Sequence, residues 1–360
     1  MDTLVIISQA LLYISFALLT GSFILSLVPA SYRPAFHISA KFLKLCAVSI
    51  PVLSFFPVLS ITLYIAPRFG FVEALTIVLS TYTMGHAWLA TLAASMLLLF
   101  TLTIKKEKLA ASLSLLFIMT AMLTIAWASH AASIDFVVGI ISDFLHLLSV
   151  SVWVGILLVI GWGATNTDNW LAFSKWFSLV AISCLSITAL SGVLMMDILV
   201  DSYIKSWPIA YGQGLFIKHL FLIPLVFFAL ANAFLVKFKL SRDPQFNPLR
   251  WIRAEGLLLL TIFTITAVFS QQSPPHGYYL TADAISPLFK LFYDGEIDMT
   301  SRIIFDANPG SVGFFFGWIF TSALTVLSIV KKIPSWVSYL LGCSVTVCVF
   351  LMVMLAVVVI

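Results

Sequence analysis

The chain has 360 residues and a formal net charge of +4; 61% of its residues are hydrophobic, only 9% are charged, and its mean hydropathy is +1.10. A soluble domain carries roughly 25% charged residues, so this chain cannot cover itself with polar surface and reads as an integral membrane protein. The small positive charge implies no nucleic-acid partner, because no basic patch interleaved with aromatic residues occurs.

In chain order the apolar runs cover 4–29, 42–66, 84–104, 109–129, 137–162, 172–197, 214–236, 254–272, 312–330 and 335–358. Each is near the ~20 residues a helix needs to cross the hydrocarbon core. The alternating pattern of barrel strands, about 10 residues each, does not occur. The expected fold class is therefore all-α: a polytopic transmembrane bundle of ten helices in contact with membrane lipid. The shorter run 71–82 contains Glu73 and reads as an interfacial piece. The first run lacks a basic leader segment and is too long for a signal-peptide core, so it is expected to stay as a helix. Cys46, Cys184, Cys343 and Cys348 all lie in apolar runs, where thiols are mostly packing residues. The spacing of Cys343 and Cys348 indicates neither a disulfide nor a two-thiol metal site.

Basic residues stay on the cytoplasmic side of short loops. Arg33, Lys41 and Lys44 follow the first run, Lys105, Lys106 and Lys108 the third, Lys237, Lys239, Arg242, Arg250 and Arg253 the seventh, and Lys331 and Lys332 the ninth. Acidic residues mark the even connections: Asp135, then Asp197 and Asp201, then Asp283, Asp294, Glu296, Asp298 and Asp306. The connection after the fifth run is nearly silent. This pattern places both termini outside a plasma (inner) membrane. Helices one to eight read as a core over 1–275. An outward segment, 276–311, begins after Pro274-Pro275 and leads into a C-terminal hairpin, 312–360. Phosphate-binding glycine patterns and hydrolase elbows are absent.

Five of the six histidines fall on the outer side of this scheme. Ionisable residues inside a bilayer are functional candidates by default. Asp143 and His146 share a helix face, with Ser149 and Trp153 continuing the stripe. That pair is either a structural hydrogen bond or a metal-ligating imidazole oriented by a carboxylate. His130 ends the fourth run beside Asp135; His86 opens the third, before Trp88. His219 follows Lys218, and Pro224 is expected to kink the helix just below it. Lys218 needs a partner or must reach outward. His276 is the most exposed imidazole, and Met195-Met196 offer thioethers for Cu(I) or simply fill the core. Imidazole and thioether ligands suit copper better than magnesium or calcium.

Ser129-His130-Ala131-Ala132, followed by Asp143-Phe144-Leu145-His146 and Ser151-Val152-Trp153-Val154-Gly155, resembles the copper resistance protein D family. Ser191-Gly192, Tyr211-Gly212, Lys218, Asn232 and Glu255 agree with it. The family often has an arginine where this chain has Thr91, and His86 has no family counterpart. The resemblance implies an inner-membrane protein that moves copper from the periplasm toward the cytoplasm, alongside a periplasmic copper-binding protein, as a transporter rather than an enzyme. It carries over His130 and His146 as copper ligands. His219 and His86 are expected to complete the site, with Asp143, Asp135 and Lys218 as partners or proton relays. Two other readings stay open: a membrane haem b redox protein with two of these histidines as axial ligands, and a copper-binding or sensing protein that transports nothing.

Overall fold

The computed structural model describes residues 2–232, 238, 246–275, 285–293, 295, 301–331 and 333–360. Among them are ten helical spans long and apolar enough to cross a membrane: Asp2–Leu27, Ala40–Phe69, Thr83–Thr101, Glu107–Trp127, Phe136–Gly163, Trp170–Leu199, Ala210–Leu230, Leu249–Phe269, Pro309–Ser328 and Ser335–Ala356. Each falls on one of the ten expected runs. Helix is the form in which a single apolar segment satisfies its own backbone polar groups away from water. His276, Lys237, Lys239, Arg242, Lys332, Asp283, Asp294, Glu296 and Asp298 lie outside the described residues.

Contacts divide the chain into two units, 1–198 and 199–360. The first holds α1 (Asp2–Leu27), α2 (Ala40–Leu53), α3 (Phe55–Phe69), α4 (Phe71–Thr81), α5 (Thr83–Thr101), α6 (Glu107–Trp127), α7 (His130–Ile134), α8 (Phe136–Gly163) and nearly all of α9 (Trp170–Leu199). Helices α2 and α3 form one broken span. Pro57 has no N–H to give the carbonyl of Leu53, and the helix is interrupted at Ser54. The short α4 falls on the run 71–82. Helix α1 is central, packed on α2, α6 and α8. Its Leu12, Phe16, Leu19 and Phe23 join Cys46, Ile50, Leu98, Ile118 and Met122 in one buried cluster.

The connection after α8 carried almost no charge signal. In the structure it is tied to the connection after α1: His37 N–H donates to Gly163 O at 2.9 Å, Asn169 Nδ2 to Ala30 O at 3.0 Å and Trp176 Nε1 to Tyr32 O at 2.8 Å. The two connections share one end of the unit, with Arg33 and His37.

The second unit holds α10 (Ala210–Leu220), α11 (Leu222–Leu230), α12 (Leu249–Phe269), α13 (Pro287–Lys290), α14 (Pro309–Val330) and α15 (Ser335–Ala356). It also has an antiparallel pair of short strands, β1 (Ile303–Phe305) and β2 (Val357–Val359). Helices α10 and α11 are one span divided at Phe221, because Pro224 cannot bond the carbonyl of Leu220. The kink expected below His219 is this division. The sequence placed a boundary at 275; the contacts place theirs after Ile198. The C-terminal helix α15 packs on α10, α11 and α12 within one unit.

Candidate metal-handling site

Helix α8 starts at Asp135, whose carboxylate accepts the Val138 N–H at 3.0 Å. An acid at this position satisfies a free backbone donor and meets the positive end of the helix dipole. Asp135, expected to assist a metal ligand, has a capping role here and is exposed. Just before it, α7 is capped by Ser129, whose Oγ accepts the Ala132 N–H at 3.2 Å. His130 is the first residue of α7 and is exposed. The short helix lies against α8 at Gly139, where a Cβ would come within 2.3 Å of the Ala131 carbonyl carbon. From Gly139 to His146 is seven residues of helix, about 10 Å at ~1.5 Å per residue. His130 therefore sits at the rim and His146 well inside the span.

The His146 ring is half-buried and faces α9. Its Nδ1 lies 3.2 Å from Ser191 Oγ. Ser191 Oγ also lies 2.7 Å from Ile187 O, a carbonyl that can only accept. A hydroxyl has one proton to give. With that proton on Ile187 O, Ser191 accepts from His146 Nδ1–H, which leaves the ring's lone pair on Nε2. A neutral imidazole with its second nitrogen held by a hydrogen bond is the form that ligates metals. Gly192 keeps the space: a Cβ there would stand 3.5 Å from His146 Cε1. One turn further along α8, Ser149 Oγ meets Thr188 Oγ1 at 2.8 Å. Asp143 is half-buried, one turn outward of His146 on α8.

The other two imidazoles are engaged within the fold. His86 is exposed near the start of α5, and its Nε2 donates to Ser80 O at 2.9 Å, one of the last carbonyls of α4 that the helix leaves unpaired. Its Nδ1 then carries the lone pair. In the second unit, Tyr203 OH lies 2.7 Å from His219 Nδ1. Burial pushes the Tyr203 phenol up to about 12, so it keeps its proton, and it donates to or accepts from the ring according to the imidazole's tautomer. His219 can ligate through Nδ1 only after that bond breaks. Lys218 Nζ lies 5.6 Å from the centroid of the Phe269 ring on α12, a cation–π contact that answers its need for a partner.

Among the described residues no three side chains of His, Cys, Asp and Glu come together as a ready metal cage. Within the first unit His86, His130 and His146 do not form such a group. Sequence reasoning missed Ser191 and Thr188 as partners of the α8 stripe. The available signal was a row of non-aliphatic residues at helical spacing, Cys184, Thr188, Ser191 and Met195, along one face of the helix.

These features define a polytopic helical membrane protein with a polar, imidazole-bearing seam inside one of its units. Residues 1–139 match the family described as copper resistance protein D-like, N-terminal domain, and residues 171–269 match copper resistance protein D. The chain belongs to the copper resistance protein D family. The segment with His146 falls between the two matched regions, whereas Cys184, Thr188 and Ser191 fall within the second. The chain is also similar to the copper transport protein CutJ of Bacillus subtilis (strain 168), with 32% identity over 171 residues, 45% of this chain and 30% of that relative's length. The match thus spans under a third of that protein. No solved structure matches the chain.

Ser191→Ala is expected to weaken copper binding about 10–100-fold, the usual cost of losing a partner that orients a ligand. Ser191→Thr keeps the hydroxyl and should bind nearly as wild type. Titrations against a competing chelator decide this; equal affinity in wild type and Ser191→Ala would remove Ser191 from the site.

Proposed function

We propose that this protein takes up copper at the outer, periplasmic face of the inner membrane and carries it toward the cytoplasm. His130 at the rim receives the ion and His146 holds it inside the span. The observation that supports this most is the His146–Ser191–Ile187 hydrogen-bond chain, which presents Nε2 as the ligating nitrogen in a family of copper proteins. Asp143 lies on the same helix face and would favour the ring's correct orientation. His86 offers Nδ1 to copper arriving at the outer rim, and His219, its Nδ1 engaged by Tyr203, is a further candidate ligand. Delivery falls to a periplasmic copper-binding protein, and the role is that of a carrier rather than a catalyst.

Orientation follows from charge. Lys105, Lys106 and Lys108 mark the cytoplasmic end of the first unit, and the connection after α8, bonded to the one bearing Arg33, shares that side. Both termini are then outside. Cysteines introduced at Lys106 and Lys290 test this with an impermeant thiol reagent. Lys290→Cys should react in intact cells and Lys106→Cys only after permeabilisation; the reverse would overturn the orientation and the outward rim with it.

The function itself is tested by metal analysis, an absorption spectrum and copper accumulation in proteoliposomes. Bound copper without a Soret band, together with copper accumulation that depends on the protein, is the expected result. A strong Soret band without copper would establish a haem protein instead. Bound copper with no accumulation would establish a binding or sensing protein.

A further inference from the structure

We propose that the α8–α9 seam is the inward route for Cu(I), with Cys184 as a second binding station below His146. The proposal rests on the reading of His146 as the first station. Its basis is a register. His146 meets Ser191 and Ser149 meets Thr188, and the same spacing sets Trp153 opposite Cys184. Each step inward along α8, three residues and then four, is matched by an equal step back along α9. That is the register of two antiparallel helices in contact along one stripe each. Continuing outward by four residues, the α9 stripe reaches Met195, which is half-buried.

The residues on this stripe are in an order that a soft cation can use. A thioether stands at the outer end, an imidazole next, a hydroxyl pair below it and a thiol at the bottom. Thioether and thiolate ligands select Cu(I) over harder ions. From the level of His146 to that of Trp153 is seven residues, about 10 Å at ~1.5 Å per residue, which carries the ion into the inner half of the span. Cys184 is 6% exposed and forms no disulfide. When Cu(I) binds there the S–H bond breaks, a Cu–S bond forms and the proton leaves to the medium. Copper is neither oxidised nor reduced, and the product is a neutral pair suited to an apolar interior. Trp153 is 4% exposed and its indole N–H has no acceptor. A thiolate at the level of Trp153 would offer that N–H an acceptor.

The test uses the full chain with Cu(I) supplied as a weak chelate under reducing conditions. X-ray absorption should show copper–sulfur scattering in wild type and in a chain whose only cysteine is Cys184, and a clear decrease in Cys184→Ala. Copper accumulation in proteoliposomes should fall at least tenfold in Cys184→Ala while outer copper binding through His146 is kept. Thr188→Val, which removes the middle hydroxyl without changing volume, should slow accumulation in the same direction. If Cys184→Ala accumulates copper like wild type, or its sulfur scattering is unchanged, the second station is refuted while the first stands. If His146→Ala leaves copper binding untouched, the first station fails, and this proposal with it. Should Cys184→Ala prove poorly folded, Cys184→Ser serves in its place with the same two outcomes.

Discussion

His146→Ala should abolish high-affinity copper binding, lowering affinity by well over about 100-fold, while the protein remains inserted and folded. Removing an orienting partner alone costs about 10–100-fold, and here the ligating atom itself is lost. Water is a poor substitute, because the ring lies within the span and faces α9 rather than the aqueous rim. The fold should survive, since Ser191 keeps its bond to Ile187 O and Ser149 keeps its own to Leu145 O and Thr188. The loss of a half-buried imidazole belongs among the ordinary substitutions that cost roughly 0.5–3 kcal/mol. His130→Ala removes the rim imidazole and should also abolish high-affinity capture, because an ion that does not reach His146 is not retained. Copper titrations of both single variants and the double variant are the measurement. Equal affinity in wild type and the double variant would sink the assignment.

Much of the fold was legible because hydropathy in a bilayer has few solutions. The run expected over 137–162 is Phe136–Gly163 in the structure, and the one over 84–104 is Thr83–Thr101. The division at Phe221 was legible from Pro224 because a missing N–H is a local property. What needed the structure was pairing across sequence distance. Ser191 is 45 residues from His146, and Tyr203 is 16 from His219. Nothing in a single helix says which residue of another will face it. Asp135 has a role that its place beside an imidazole did not suggest: an acid three residues before a helical N–H is also a cap, and here it acts as one. The unit boundary was hidden as well. The Pro274-Pro275 pair is conspicuous in composition, whereas the boundary after Ile198 falls at the end of a continuous helix with no punctuation.

Gly155→Leu should have the largest effect on the fold, destabilising the first unit by about 3 kcal/mol or more. Helices α1 and α8 approach closely at one crossing. A Cβ on Gly155 would stand 2.0 Å from Ala17 O, and one on Gly21 would stand 2.1 Å from the Gly155 carbonyl carbon. Both obstacles are backbone, so no rotamer change relieves them. In an apolar solvent such close contact is a main source of helix association, because burial of aliphatic surface gains little there. Leucine must therefore separate the helices and strip contacts from Val154, Ile156 and Leu157, all fully buried. The same change bears on function. Gly155 lies two residues beyond Trp153, about 200° around α8, so α1 holds the side of α8 roughly opposite the one that bears His146, Ser149 and Trp153. Forcing α1 away would loosen the helix that fixes the seam, and copper binding should fall with stability. Gly155→Ala should do the same more mildly. Gly313→Leu is the control, since a Cβ there meets nothing within 4 Å. Thermal unfolding of the purified proteins in detergent should place Gly155→Leu far below wild type and Gly313→Leu beside it. If the two glycine variants melted together, the α1–α8 crossing would not be what holds the seam in place.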